Sequence, residues 1–174
     1  NSFITEQTQN WDAWYQKYKL IYHAGGGVDG LRYTNSREAV EANLPHGNVL
    51  EIDFAYTEDH SLVCIHSWDY ITGSPEALTL EEFKNFKIYG KYSTMTAQEL
   101  IELMETREDL YIVVDTKETE TVQIVHDLLQ LAENRPDIVD RFVIQLYDKG
   151  AKESFLELYP FTNENFLFTC YKFG

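Results

Sequence analysis

The sequence predicts an α/β fold with a largely parallel sheet, and three observations carry that expectation. Apolar runs of strand length recur along the chain, and they alternate with segments whose leucines, valines and isoleucines return every three or four residues. No linker rich in Pro, Gly and Ser interrupts the alternation. Strand, helix and strand in succession imply parallel neighbours, and strands apolar on both sides imply burial of both sheet faces. A doubly wound open sheet and a (β/α)8 barrel both satisfy this pattern.

Six strands are expected, at 19–24 (KLIYHA), 49–57 (VLEIDFAYT), 62–66 (LVCIH), 110–117 (LYIVVDTK), 141–148 (RFVIQLYD) and 166–173 (FLFTCYKF). Helical spacing marks the stretches SREAVEANL, TAQELIELMET, ETVQIVHDLLQLAEN and AKESFLELY. Only the short turn EDHS separates the second strand from the third. The stretch 67–95 is long for a strand-to-helix connection and reads as an insertion after the third strand, of the kind that often carries function. A length of 174 residues suits one domain, 1–174.

Fourteen Lys and Arg against 29 Asp and Glu leave a formal charge of -15. That balance argues against binding nucleic acid or a membrane through a basic patch. An acidic protein that takes a phosphate usually does so through a metal ion. No run approaches the roughly 20 apolar residues of a membrane span, and no signal-type segment is present. The chain as given reads as soluble, in the cytoplasm or outside it, and membrane proximity would have to come from a segment upstream of Asn1. Cys64 and Cys170 each sit in an apolar run, a spacing that makes neither a disulfide framework nor a zinc site.

The loop YHAGGGVDGL, 22–31, holds a G-x-G-x-x-G at Gly25, Gly27 and Gly30. Glu51 or Asp53 follows about twenty residues later, as the dinucleotide fingerprint asks. The helix start argues against that reading. A dinucleotide site needs the helix to begin within the glycine loop, so that its first amides meet the pyrophosphate. Here LRYT intervenes, and Asn35 with Glu38 three residues later forms a capping-box-like start. A nucleotide-dependent oxidoreductase is the weakest functional reading, and a pliable glycine-rich turn is the structural one.

In LEIDF, Glu51 and Asp53 point to one face of the strand and Leu50, Ile52 and Phe54 to the other. Two carboxylates on one buried face are costly unless a cation is near. A hard divalent ion such as Mg2+ or Ca2+ takes oxygen ligands of this type. Asp115 and Lys117 alternate with apolar neighbours near the end of another strand, and His23 and His66 lie at the ends of the first and third. An exposed edge strand and satisfied structural histidines are the bland readings of each piece alone. In a barrel, however, the carboxyl ends of the strands converge on one face. That would gather His23, Glu51, Asp53, His66, Asp115 and Lys117 around a single mouth. His46, His60 and His126 fall in loops or a helix and read as surface residues.

Taken in order, the stretches HAG, TNSREAVEANL, EIDFAYTEDHSLVCIH, LTLEEFKNF, MTAQELIELM and VVDTK resemble the motifs of the glycerophosphodiester phosphodiesterase family, part of the phospholipase-C-like phosphodiesterase barrels. The run from Glu51 to His66 is the specific part. The resemblance implies a TIM-type (β/α)8 barrel, here incomplete, with about six strands and a truncated C-terminus, since a whole barrel takes about 250 residues. It implies metal-dependent hydrolysis of a small-molecule or lipid-derived glycerophosphodiester to an alcohol and glycerol phosphate. By position, His23 and His66 become the general acid/base pair, Glu51, Asp53 and Asp115 the ligands of Mg2+ or Ca2+, and Lys117 a phosphate contact. The sequence also departs from the family. Ala24 replaces an Arg, with Arg32 as a candidate substitute; Thr34 replaces a Glu, Ser67 an Asp, and Asp115 a Glu. These departures keep open an inactive relative that only binds.

Overall fold

A computed structural model describes residues 13–116 and 120–169. In chain order the elements are α1 (Trp14–Lys17), α2 (Arg37–Asn43), β1 (Val49–Tyr56), β2 (Leu62–Cys64), α3 (Trp68–Thr72), α4 (Leu80–Asn85), β3 (Lys87–Ile88), β4 (Tyr92–Ser93), β5 (Met95–Thr96), α5 (Ala97–Thr106), β6 (Tyr111–Asp115), α6 (Thr121–Leu131), α7 (Pro136–Val139), β7 (Phe142–Leu146), α8 (Lys152–Leu156) and β8 (Phe166–Phe168). Six strands form one sheet in the order β5-β2-β1-β6-β7-β8, and β3 with β4 makes a separate hairpin. β1, β6, β7 and β8 are parallel, as the strand–helix alternation predicts.

One expectation about the strands needs correction. The stretch 19–24 forms no regular strand. Tyr22 alone bridges to Leu50, and a 3-10 turn at His23–Gly25, with Ala24 in the left-handed region at φ 51°, ends the pairing. β5 takes the sixth place in the sheet instead. The third predicted strand, β2, runs antiparallel to β1, because the short turn EDHS between them closes a hairpin. His60 takes φ 59° in that turn, and Thr57 N–H donates to Ser61 O at 2.9 Å.

The alternation within each strand sorts the core into layers. Leu50, Ile52 and Phe54 of β1 join Ile112, Val114, Ile144 and Leu146 on the face that packs against α5, α6 and α8. On the opposite face Val49, Val113 and Val143 meet Trp14, which closes the lower end of the sheet's interior. Directly above these valines, along the same face, come Glu51 and Asp53 of β1 and Asp115 of β6. The carboxylates therefore stand on an apolar floor. A third cluster, Val63, Ile65, Trp68, Ile71, Phe83, Ile88 and Tyr92, forms where residues 67–95 fold back onto β2. Capping boxes start α4 at Thr79 with Glu82 and α5 at Thr96 with Glu99.

The glycine loop does not open a helix. α2 begins at Arg37, and its cap is Ser36, whose hydroxyl accepts from Ala39 N–H at 3.1 Å. The expected cap, Asn35, is used elsewhere, and Glu38 binds the Ser93 N–H and hydroxyl instead of closing a capping box. A Cβ on Gly26, which has φ 91°, would fall 2.3 Å from Asn43 Nδ2. Asn43 donates from that nitrogen to Gly27 O at 3.0 Å and pins the loop to α2. Cys64 is fully buried and burial pushes its thiol well up; Cys170 lies outside the described residues.

Candidate active site

At the carboxyl end of β1, Glu51, Asp53 and Asp115 place one carboxylate oxygen each within 4.8 Å of the others. Register explains the convergence: Asp53 pairs with Asp115 across the parallel β1–β6 ladder, and Glu51 lies one inward position below Asp53. Glu51 is 3% and Asp53 7% exposed. Glu51 Oε2 accepts from Ala24 N–H at 2.5 Å, whereas Glu51 Oε1 is buried with no hydrogen-bond partner among the described residues. Burial first, and then the charge of Asp53, push Glu51 from its ordinary 4.5 up to about 9; Ala24 N–H pulls the other way. Burial raises Asp53 as well, against the hydrogen bond that Asn35 donates to it. An orphaned buried carboxylate oxygen beside two further carboxylates fits a hard divalent cation, whose charge would offset the repulsion and whose coordination would use the unpaired oxygen.

Both predicted histidines reach this cluster, by different routes. His23 follows the Tyr22 bridge, and Glu51 N–H donates to Tyr22 O at 2.9 Å, so Nε2 of His23 stands 3.6 Å from Glu51 Oε2. Its side chain is 58% exposed. His66 comes down the antiparallel return of the hairpin. β1 runs on past Asp53 to Tyr56, the chain reverses, and Ile65 N–H donates to Asp53 O at 3.0 Å, which sets His66 beside the acids. Nδ1 of His66 is buried without a hydrogen-bond partner among the described residues. Arg32 is exposed and shares with His23 and Tyr33 the wall of a cavity of about 430 Å3. Lys117 lies outside the described residues.

Two residues that the sequence reading did not nominate orient the acids. Asn35 donates through Nδ2 to Asp53 Oδ2 at 2.8 Å and accepts through Oδ1 from Asp53 N–H at 3.1 Å. Tyr147, just past β7, donates its hydroxyl to Asp115 Oδ1 at 2.8 Å, and that oxygen also accepts from Thr116 N–H at 3.0 Å. The signal for Tyr147 was present, since it lies at the carboxyl end of an apolar run as His66 and Asp115 do. Asn35 gave no such signal, because a polar residue just before a helix reads first as its cap.

No family model matches the chain, and no curated protein matches it. Solved structures do. A glycerophosphoryl diester phosphodiesterase from Parabacteroides distasonis is 25% identical with a TM-score of 0.62, over 88% of this chain and 54% of that one. A protein from Galdieria sulphuraria described as a glycerophosphodiester phosphodiesterase is 21% identical with a TM-score of 0.65, over 86% and 63%. The fold is that of the glycerophosphodiester phosphodiesterases. A phosphodiesterase from Oleispira antarctica, solved with the product sn-glycerol-3-phosphate, agrees at 17% identity and a TM-score of 0.64, over 90% of this chain and 67% of that one. The motif resemblance and the fold thus point to the same family, and the barrel is incomplete: the chain spans 54% and 63% of the first two structures it matches. Among the described residues, no helix is long and apolar enough to cross a membrane.

Proposed function

We propose that this chain carries the reaction site of a metal-dependent phosphodiesterase that hydrolyses glycerophosphodiesters to an alcohol and glycerol phosphate. The observation that carries the reading is the triad of Glu51, Asp53 and Asp115, with an unpaired buried oxygen on Glu51, between two histidines. The three acids would hold Mg2+ or Ca2+, and Lys117 and Arg32 would contact the phosphate. Bound there, the cation would neutralise phosphate charge and polarise a phosphoryl oxygen. One imidazole, of His23 or His66, takes a proton from the attacking water as the water oxygen bonds to phosphorus. The other gives a proton to the departing alcohol oxygen as its bond breaks. The same reading takes 1–174 as one domain and 67–95 as an insertion beside the mouth, with Tyr70 next to His66.

The test is release of glycerol phosphate from glycerophosphodiesters with Mg2+, Ca2+ or Mn2+. Turnover is expected to vanish with a chelator and in the Glu51→Ala, Asp53→Ala double variant; turnover that survives both would sink the reading. A binding module without catalysis is the second reading. It is favoured by Ala24, a fully buried methyl where the family carries an Arg. It expects calorimetric metal binding that the double variant loses, and no turnover.

A further inference from the structure

An imidazole that moves protons must be held in one orientation, usually by a hydrogen bond to its second ring nitrogen. Among the described residues, no such hydrogen bond is seen for His66 Nδ1 or His23 Nε2. His66 Nδ1 is buried, and the 3.6 Å from His23 Nε2 to Glu51 Oε2 is beyond hydrogen-bond range. The two rings share another neighbour. Tyr33 sits with its ring centroid 4.9 Å from His23, edge to face at 86°, and 4.9 Å from His66, tilted at 56°. Tyr70 backs this arrangement, 5.7 Å from Tyr33 and 5.7 Å from His66.

Tyr33 has φ 58°, in the left-handed region that a bulky side chain enters at a cost. Thr34, Asn35 and Ser36, which follow, are all fully buried, and Asn35 is clamped to Asp53. The ring is therefore tied through Asn35 to the strand that carries the acids.

We propose that Tyr33 is a positioning residue whose ring sets the separation and facing of the His23 and His66 imidazoles. The inference rests on the acid/base roles proposed above, so its test has an arm that does not need activity. Tyr33→Phe keeps the ring, and Tyr33→Leu removes it from the same backbone; Tyr33→Met is the substitute if the leucine variant does not fold. In 13C relaxation at Cδ2 of the two imidazoles, order is expected to fall at His23 and His66 together in the ring-less variants and to return in Tyr33→Phe. On a glycerophosphodiester, the ring-less variants are expected to lose about 10- to 100-fold in kcat with little change in KM. Unchanged imidazole order in the ring-less variants overturns the proposal. So does a Tyr33→Phe variant as impaired as Tyr33→Leu, or a loss confined to KM, since either outcome makes the hydroxyl or the substrate the partner. Should the wild-type chain turn over no diester, the proposed function fails by itself, and the relaxation data still decide on Tyr33.

Discussion

Asn35 holds Asp53 by both its side chain and its backbone, donating to Oδ2 at 2.8 Å and accepting from N–H at 3.1 Å. To do so it adopts φ 47°, a conformation that Asn tolerates better than most residues. Loss of a partner that orients a metal ligand typically costs about 10- to 100-fold in affinity. Asn35→Ala is expected to weaken Mg2+ binding by that order in a calorimetric titration. It also places a less tolerant residue in the left-handed region, so the melting temperature should fall. Wild-type affinity in this variant would show that the clamp does not orient the ligand.

The metal-free protein should become less stable as pH rises. Glu51 is raised from 4.5 to about 9, so the folded state binds its proton more tightly than the unfolded state does. That contribution is complete below the unfolded value and is lost as pH climbs towards the folded one. Asp53, raised by burial too, works in the same sense. Thermal melts in chelator should therefore fall between about pH 5 and about pH 9, and added Mg2+ should restore stability most at the upper end, where no proton has to be displaced. Glu51→Gln is expected to flatten the slope; an unchanged slope would remove Glu51 as its source.

His66→Ala should separate chemistry from metal binding. The ring lies beside the acids but contributes none of the three oxygens that converge there. Loss of a general acid or base typically costs about 100- to 10,000-fold in rate. Turnover should fall by that order while the calorimetric affinity for Mg2+ stays near wild type. A rate left intact would remove His66 from the mechanism.

Away from the site, Arg141 is a stability element. Its guanidinium donates to Asp137 O, Arg107 O, Leu110 O and Met104 O at 2.7 to 2.9 Å, tying the ends of α5 and α7 to the start of β6. It is 7% exposed, so removing it leaves several carbonyls without donors in a buried position. Arg141→Met should cost about 3 kcal/mol in denaturant unfolding, with Arg141→Lys recovering only part, because an ammonium cannot span all four acceptors. A loss within a few tenths of a kcal/mol would show that water replaces these bonds.

Much of the fold follows from local pattern. Alternating residues in LEIDF put Glu51 and Asp53 on one face and Leu50, Ile52 and Phe54 on the other, and the structure keeps that division. Helical spacing in TAQELIELMET becomes α5, with Leu100, Ile101 and Met104 buried. Pattern failed where it met a competing local force. KLIYHA has strand composition, but the turn at His23–Gly25 leaves it a single bridge. Asn35 has the chemistry of a helix cap, but Ser36 beside it caps equally well and frees Asn35 for Asp53.

By itself the sequence determined which residue types share a strand face, because that depends on the chain's two-residue repeat. It thereby brought forward His23, Glu51, Asp53, His66 and Asp115. Only the tertiary structure decided how they meet: Asp115 by register across β1 and β6, His66 by an antiparallel return, and Tyr33 by packing between two imidazoles. Those relations join residues far apart in the chain. They arise from burial and hydrogen-bond satisfaction summed over the whole sheet, which no short window of sequence contains.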